Sequence, residues 1–250
     1  MPRKKLIAAN WKMHKTAQEA REFVDSFIPQ VYDHQRDEIV LCPAFVAIPA
    51  TVEALADAPI GVGGQDMFWK KEGPYTGAVS AHMLRAAGCT HVLLGHSERR
   101  QYFGETDDTV NRKLHAALAA GLKPIVCVGE VLEEREAGLT ESILRRQCSI
   151  AFREVSGPQA HPLVVAYEPV WAIGTGKTAT PELAADAHRV IRAEAAQAFG
   201  IEVAVKMRIL YGGSVKPENA SALMSQAEID GALVGGASLD PKSFAAIVKW

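Results

Sequence analysis

A chain of 250 residues with 48% hydrophobic and 22% charged residues is long enough for one large globular domain with a substantial core. Its formal net charge of −2 provides no basic field for nucleic acid or an anionic membrane, so an anionic ligand would need a local binding device. No apolar run reaches the length of a membrane span, and the short basic N-terminus continues into Asn10 and Lys12 rather than into the apolar core of a signal peptide.

Eight short apolar runs follow one another along the chain. They are rich in Ile, Val, Leu and Ala and lack a polar alternation, which is typical of strands buried on both faces. The runs are LIAANW (6–11), EIVLCPA (38–44), PIGVGGQ (59–65), HVLLGHS (91–97), PIVCVGE (124–130), PLVVAYE (162–168), RILYGGS (208–214) and GALVGGA (231–237).

Segments with a 3.6-residue apolar spacing separate several of these runs and predict helices. The clearest segments cover residues 20–32, 108–121, 141–155 and 182–200. Residues suited to helix ends flank them. The predicted N-caps are Asp107 or Asp108, Thr140 and Thr180, and the predicted C-terminal stops are Gly121 and Gly200.

This alternation of strands and helices predicts a parallel sheet, because right-handed crossovers place a helix between successive parallel strands. Eight such units in 250 residues predict an α/β fold in which residues 1–250 form a single (β/α)8 barrel domain. The alternative is an open doubly wound sheet. Its usual Gly-x-Gly-x-x-Gly turn after the first strand is absent, and Asn10-Trp11-Lys12 stands there instead.

The four cysteines, Cys42, Cys89, Cys127 and Cys148, are scattered, and none belongs to a C-x-x-C pair. Their spacing predicts neither a metal site nor a disulfide framework, so we expect a reduced, cytoplasmic setting. Cys127 lies in a predicted strand that could approach a functional site, but core packing is the favoured role for this residue type.

One connection, DMFWKKEGPYTGAVS at residues 66–80, is long for a compact barrel. It carries Met67, Phe68, Trp69 and Tyr75, whose apolar surfaces are costly to leave in water. Either these side chains fold back on their own barrel or the loop docks into a partner subunit. The concentration of aromatic residues favours docking.

The stretch EPVWAIGTGKTATPE, from Glu168 to Glu182, contains Gly-Thr-Gly-Lys-Thr and superficially resembles the end of a nucleotide-binding P-loop. Counting back from Gly176 places Trp171 at the position of the first P-loop glycine, where an indole cannot make the tight turn. The carboxylate of Glu168 also has no role in a P-loop. These features argue against a nucleotide site.

Polar residues follow several predicted strands: Asn10 and Lys12 the first, His96 and Glu98 the fourth, and Glu168 the sixth. The C-terminal ends of barrel strands meet at one mouth, where barrel enzymes carry their catalytic groups. Taken singly, each residue has an ordinary explanation, such as a solvated lysine or a hydrogen-bonded structural histidine. Together at one rim, they indicate a catalytic site.

Glycine-rich turns follow the seventh and eighth predicted strands, as Gly212-Gly213-Ser214 and Gly235-Gly236. Glycine allows backbone N–H groups to approach a ligand closely, and the loops after these two strands are the usual phosphate seat of a barrel. Such a seat, together with Lys12, would hold an anion despite the negative net charge. The alternative is that these glycines only turn corners.

Five segments together closely resemble the triosephosphate isomerase family, and the resemblance runs through all eight βα units. The segments are AANWKM (8–13), LLGHSERR (93–100), VVAYEPVWAIGTGKTA (164–179), ILYGGSV (209–215) and ALVGGASL (232–239). The resemblance implies interconversion of dihydroxyacetone phosphate and glyceraldehyde 3-phosphate in glycolysis and gluconeogenesis. It implies a cytoplasmic homodimer acting on a small phosphorylated triose, with no cofactor, no metal, and neither nucleic acid nor a membrane as a partner.

The resemblance also implies a role for each polar residue. Glu168 would be the base that moves a proton between two carbons, and His96 a neutral electrophile. Lys12 would supply positive charge, Asn10 a hydrogen-bond donor, and Glu98 would orient Lys12. The residues implied to bind the substrate are Asn10, Lys12, Gly174, Ser214, Gly235 and Gly236.

By the same resemblance, residues 172–176 form the tip of a lid between hinges at 169–171 and 177–179. The Gly174 N–H would point inward, and Tyr211 and Ser214 would latch the closed lid. Closure of such a lid excludes water from the reacting groups and strengthens electrostatic interactions there.

Residues 66–80 match the dimer loop of the family, and Thr76 at its tip is expected to reach the active site of a partner subunit. Many relatives carry Gly-Glu where this chain has Gly77-Ala78. The missing carboxylate puts one interface hydrogen bond or ion pair of those relatives in question.

Two other functional classes stay open at this point. A barrel aldolase would use Lys12 as a Schiff base, but such lysines need an apolar pocket, and Lys12 lies between Asn10 and His14 in sequence. A non-catalytic phosphate-binding or scaffold protein would need neither Glu168 nor His96.

Overall fold

The computed structural model describes residues 3–173 and 178–250. Its eight strands are parallel and pair in chain order, and the first also pairs with the last, so that the sheet closes on itself. The strands are β1 Leu6–Asn10, β2 Glu38–Cys42, β3 Ile60–Gly64, β4 His91–Leu94, β5 Lys123–Val128, β6 Val164–Tyr167, β7 Arg208–Tyr211 and β8 Gly231–Val234. The predicted (β/α)8 barrel is confirmed, and the open doubly wound alternative is wrong.

Helices surround the barrel, and the four predicted helices correspond to the long α1, α5, α7 and α8. The helices are α1 Ala17–Val31, α2 Ile48–Leu55, α3 Ala81–Ala86, α4 Ser97–Tyr102, α5 Asp107–Ala119, α6 Leu132–Glu136, α7 Thr140–Ala151, α8 Pro181–Phe199, α9 Ile201–Ala204, α10 Pro217–Met224 and α11 Pro241–Lys249. In the described part of the chain, none of these helices is long and apolar enough to cross a membrane.

Two of the predicted N-caps are wrong by one residue. Thr106 caps α5 through a reciprocal bond with Thr109, because its hydroxyl can reach the N–H three residues on, and Asp107 is the first helical residue. Helix α7 begins at Thr140 itself. The predicted cap at Thr180 is confirmed, since its Oγ1 accepts the N–H of Leu183 at 3.3 Å. Gly200 ends α8 and Gly121 follows α5, both with positive φ.

The hydrophobic core has two layers because successive strand residues point to opposite faces of the sheet. Most of the core packs between strands and helices, where large side chains such as Trp11, Phe27 and Phe244 are fully buried. The second layer fills the barrel interior with Leu6, Ala8, Val40, Cys42, Leu93, Ile125, Cys127, Val164, Ala166, Leu210 and Leu233. Cys127 is therefore a core residue, and burial raises the pKa of its thiol well above the ordinary value.

A charged cluster lies at the N-terminal end of the barrel. The Glu38 carboxylate accepts hydrogen bonds from Arg208 at 2.5 Å and from Lys123 at 3.2 Å, and it lies 3.4 Å from Nε2 of His91. The contact with His91, and then the Arg208 guanidinium, hold the pKa of Glu38 well below its usual range. Burial lowers the pKa of His91. These groups join the starts of β2, β4, β5 and β7.

The long loop at residues 66–80 folds partly on itself. The ring centroid of Phe68 lies 4.0 Å from that of Trp69 and 4.5 Å from that of Tyr75, and Met67 is buried in the core. Residues 70–78 are exposed. Part of the apolar surface of the loop is thus accommodated by its own barrel, while the tip with Thr76 stands in solvent.

Candidate active site

A cavity of about 340 Å³ opens at the C-terminal end of the barrel. It brings together residues that are far apart in sequence, as the barrel prediction requires. Its lining includes Asn10, Lys12, His96, Glu168, Ser214, Gly235 and Gly236. Of the remaining predicted site residues, Glu98 contacts Lys12 at the edge of this group, and Gly174 lies outside the described residues.

The Glu168 carboxylate is buried directly after β6. Its Oε1 lies 2.9 Å from Nε2 of His96, and its Oε2 accepts the backbone N–H of Ser97 at 2.9 Å. A Cβ at Gly212 would lie 2.9 Å from Cγ of Glu168, so a larger residue there would push the carboxylate out of this position. The glycine after β7 therefore makes room for the acid after β6.

The His96 side chain is held at the start of α4. Its Nδ1 accepts the backbone N–H of Glu98 at 3.2 Å. A ring nitrogen that accepts a hydrogen bond carries no proton, so this contact favours the neutral imidazole with its proton on Nε2. That proton points at Oε1 of Glu168, 2.9 Å away.

His96 and Glu168 shift each other's pKa in opposite directions. Burial alone would lower the pKa of His96, but the Glu168 carboxylate outweighs burial and raises that pKa above its ordinary value. Burial alone would raise the pKa of Glu168, but His96 and the Ser97 N–H outweigh it and lower that pKa. The carboxylate is therefore ionised at neutral pH. Once it moves away from Nε2, the bond to Nδ1 and the burial of the ring both favour a neutral imidazole.

Lys12 is held over the cavity by several partners. Its Nζ donates to Oε1 of Glu98 at 2.6 Å, and its backbone N–H donates to Oδ1 of Asn10 at 3.0 Å. Its φ of 53° is unusual for a residue other than glycine, and such strain persists only where neighbours enforce it. Gln65 is one such neighbour, because its Nε2 donates to the carbonyl oxygens of both Lys12 and Cys42.

The predicted phosphate seat lines the same cavity as the Glu168 carboxylate. The turn of residues 212–214 follows β7, and Gly235 precedes the short 3₁₀ turn Gly236–Leu239 after β8. A Cβ at Gly235 would lie 3.3 Å from Cε of Lys12, so the absence of a side chain leaves the lysine room at the cavity edge. Two glycine-containing turns that line the cavity beside an ammonium group form a site suited to a phosphate.

The described residues at the base of the predicted lid are tied to the barrel. The indole N–H of Trp171 and the hydroxyl of Tyr167 both donate to Oε1 of the buried Glu130, at 3.0 and 3.1 Å. On the other side of the lid, the Tyr211 hydroxyl accepts the N–H of Ala179 at 3.3 Å. Tyr211 therefore contacts the second predicted hinge, and residues 174–177 of the predicted lid lie outside the described residues.

Three functional candidates were missed by the sequence analysis: Gln65, Glu130 and Gln147. Gln65 and Glu130 each end a predicted strand run, as the predicted site residues do, so their position was an available signal. Gln147 lies within α7, where a polar residue in an amphipathic pattern normally faces solvent, and it gave no signal.

A closed barrel that holds a carboxylate against an imidazole, beside a phosphate seat, defines an enzyme that transfers protons on a phosphorylated substrate. The profile of the triosephosphate isomerase family matches residues 5–250, and the chain belongs to this family. It is 58% identical to the triosephosphate isomerase of Moorella thermoacetica, and the match covers 99% of each chain. It is 55% identical to that of Solibacter usitatus, over 99% of this chain and 100% of the relative.

Proposed function

We propose that the chain interconverts dihydroxyacetone phosphate and D-glyceraldehyde 3-phosphate by proton transfer through an enediolate, in glycolysis and gluconeogenesis. Membership of the triosephosphate isomerase family supports this reaction. The structural observation that carries it is the contact of 2.9 Å between an ionised Glu168 and Nε2 of His96 inside the cavity. We also propose that residues 1–250 form a single domain.

Glu168 is the base of the proposed reaction. A C–H bond beside a carbonyl is a weak acid, so the base must be held against it while the oxygens are stabilised. Glu168 takes the proton from one carbon of the substrate and returns it to the neighbouring carbon. To do so, its carboxylate leaves the Ser97 N–H and turns towards the phosphate side of the cavity.

His96 is the electrophile of the proposed reaction. When Glu168 moves to the substrate, Nε2–H of His96 is released to donate to the substrate oxygens. It gives its proton to one oxygen of the enediolate and recovers a proton from the other, so the protein ends unchanged. The backbone N–H of Glu98 on Nδ1 keeps the ring in the tautomer that this step requires.

Charge stabilisation and substrate binding are assigned to the remaining residues. Lys12, oriented by Glu98, supplies fixed positive charge to the phosphate and the developing oxyanion, and Asn10 adds a hydrogen-bond donor. Phosphate binding is assigned to the backbone around Ser214, Gly235 and Gly236, and to Gly174 of the lid.

The two competing classes make different demands on these residues. An aldolase needs a reactive amine in an apolar pocket, whereas Lys12 is ion-paired with Glu98 at 2.6 Å. A phosphate-binding scaffold does not account for a buried Glu168 directed at His96.

A coupled assay tests the proposal. Purified protein, treated with a chelator and supplied with dihydroxyacetone phosphate alone, should produce glyceraldehyde 3-phosphate. Borohydride should trap no covalent adduct at Lys12 in the same mixture. A stable adduct at Lys12 would favour the aldolase, and phosphate binding without turnover would favour the scaffold protein.

We further propose a cytoplasmic homodimer that forms through the loop at residues 66–80. Large apolar side chains are exposed after β1, β2 and β4, on the same rim as this loop, which follows β3. These side chains are Met13, Val46, Tyr102 and Phe103. An exposed apolar rim of this kind is typical of an interaction surface. The four free, buried cysteines suit a reducing compartment.

Ion pairs tie the base of the loop to the helices that follow β4. Lys113 donates to Asp66 at 2.6 Å and to Glu105 at 2.5 Å, and Arg99 contacts the same two carboxylates.

Thr76→Arg should weaken self-association and lower activity together. Sedimentation that shows the same dimer for this variant as for the wild type would contradict the docking of the loop.

A further inference from the structure

We propose that Gln147 is a positioning residue that aligns Glu168 for proton transfer through the backbone of Gly129, an inference that rests on the proposed function. Gln147 lies on α7, outside the barrel, and is only 5% exposed. Its Oε1 accepts the N–H of Gly129 at 2.7 Å, and its Nε2 donates to the carbonyl of the same glycine at 3.1 Å. One amide side chain therefore holds both backbone polar groups of a residue that follows β5.

Gly129 is in direct contact with the backbone of the base. A Cβ at this position would lie 1.8 Å from the carbonyl oxygen of Glu168, so the two backbones touch. The preceding residue is bonded as well, because the N–H of Glu168 donates to the carbonyl of Val128 at 2.7 Å. A displacement of Gly129 is therefore passed on to the Cα of Glu168.

The segment that contains Gly129 also holds the base of the predicted lid. Glu130 follows Gly129, its carbonyl accepts the N–H of Val170 at 3.1 Å, and its carboxylate accepts the indole N–H of Trp171. Gln147 thus supports a short segment to which both Glu168 and the start of the lid are attached.

The segment around Gly129 borders open space on one side. A cavity of about 440 Å³ is lined by Gly129, Gln147 and Glu168 together. Side chains therefore do not enclose Gly129 on this side. The two hydrogen bonds from Gln147 are directional contacts that resist a shift of Gly129.

Loss of these bonds should affect turnover more than substrate binding. The phosphate seat is formed mainly by turns after β7 and β8, which Gln147 does not contact, so KM should be nearly unchanged. The position of the carboxylate decides the rate of proton transfer, and a misplacement of about 1 Å can cost about 100-fold. We therefore expect a lower kcat.

Two substitutions at this position test the inference. Gln147→Met is similar in size and shape but makes neither hydrogen bond, and we expect kcat to fall by about tenfold to 100-fold on the same reasoning. Gln147→Glu retains an oxygen for the N–H of Gly129, so its kcat should lie between those of Gln147→Met and the wild type.

Asn111→Leu is the matched control. Asn111 is also a buried amide on a helix, and its Nδ2 donates to the carbonyls of Ala151 and Arg153, both at 2.9 Å and away from the cavity. This variant should lower the melting temperature but leave kcat unchanged, whereas a structural role for Gln147 would make the two sites alike.

The outcomes separate the inference from the proposed function. A wild-type protein without isomerase activity would refute the function and the inference with it. An active wild type with an unchanged kcat in Gln147→Met, or an equal loss of kcat in Asn111→Leu, would refute only the inference. If Gln147→Met does not fold, Gln147→Glu decides: a reduced kcat at constant KM supports the inference, and a wild-type kcat overturns it.

Discussion

One histidine begins the strand β4 and another lies just beyond its end, and each histidine faces a glutamate. His91 begins the strand and lies 3.4 Å from Glu38, whereas His96 follows it and lies 2.9 Å from Glu168. Both histidines are buried. Only the second pair lines the cavity at the C-terminal end of the barrel.

The surroundings of the two pairs explain their different roles. At the N-terminal end, Arg208 and Lys123 share the carboxylate of Glu38, so its charge is balanced within the protein. At the C-terminal end, Glu168 has His96 and one backbone N–H as partners, and we propose that a substrate displaces both. By this comparison, we expect a buried His–Glu contact to take part in catalysis only where a ligand can replace one partner.

The largest effect is expected at the proposed catalytic pair, Glu168 and His96. Glu168→Asp withdraws the carboxylate by about one methylene group and should lower kcat by about 10²–10³-fold, since misplacement by about 1 Å can be that severe. Steady-state kinetics on folded protein measures this effect. Near-wild-type turnover would contradict the assignment of the base.

Substituting each histidine separately tests the comparison directly. His96→Gln removes the Nε2–H donor and should lower kcat by about 10²-fold, the usual cost of losing one donor to a developing oxyanion. His91→Gln, on the same strand, should leave kcat nearly unchanged. Equal losses in the two variants would show that both ends of the strand influence the chemistry, and the comparison would fail.

Glu38→Gln should destabilise the barrel without affecting turnover. The change leaves Arg208 and Lys123 without their shared carboxylate, and breaking a buried pair is costly. Because Lys123 is about half exposed and solvent screens its charge, we expect a loss of about 1–3 kcal/mol in the free energy of unfolding. Urea denaturation with a parallel activity assay measures both quantities. Unchanged stability would mean that the cluster does not support the fold.

The smallest effect concerns pH. Burial lowers the pKa of His91 in the folded protein, so below pH of about 6.5 the unfolded chain binds a proton that the folded chain does not. The free energy of unfolding should therefore fall as pH drops from 7 to 5, with at most about 1.4 kcal/mol per pH unit from this group. His91→Gln should reduce that slope in urea titrations. An identical slope in the variant would assign the pH dependence to other groups.

The sequence revealed the strands more completely than the helices. Strands buried on both faces are continuous apolar runs, so all eight could be predicted. Helices of four to nine residues, such as α3 or α9, span too few turns to show a 3.6-residue period, and they were not predicted. Thr106 was overlooked as a cap because two aspartates follow it, and residue type alone cannot decide which side chain reaches the third N–H.

The polar residues at strand ends were also predictable, because barrel topology sends them to one rim. The resemblance to a known family supplied their individual roles. The pair of hydrogen bonds from Gln147 to Gly129 was not predictable, since it depends on the direction of one side chain on an outer helix. The orientation of Lys12 likewise depends on a backbone torsion and on contacts with Gln65, which residue spacing does not encode.

Because β1 pairs with β8, every strand has a neighbour on both sides, and the sheet offers no template to which a foreign strand could add. Copies of this chain that associate, as we propose, must therefore meet through side chains on loops and helices. An engineer could weaken or restore such an association by surface charge alone, while the closed ring of strands stays intact.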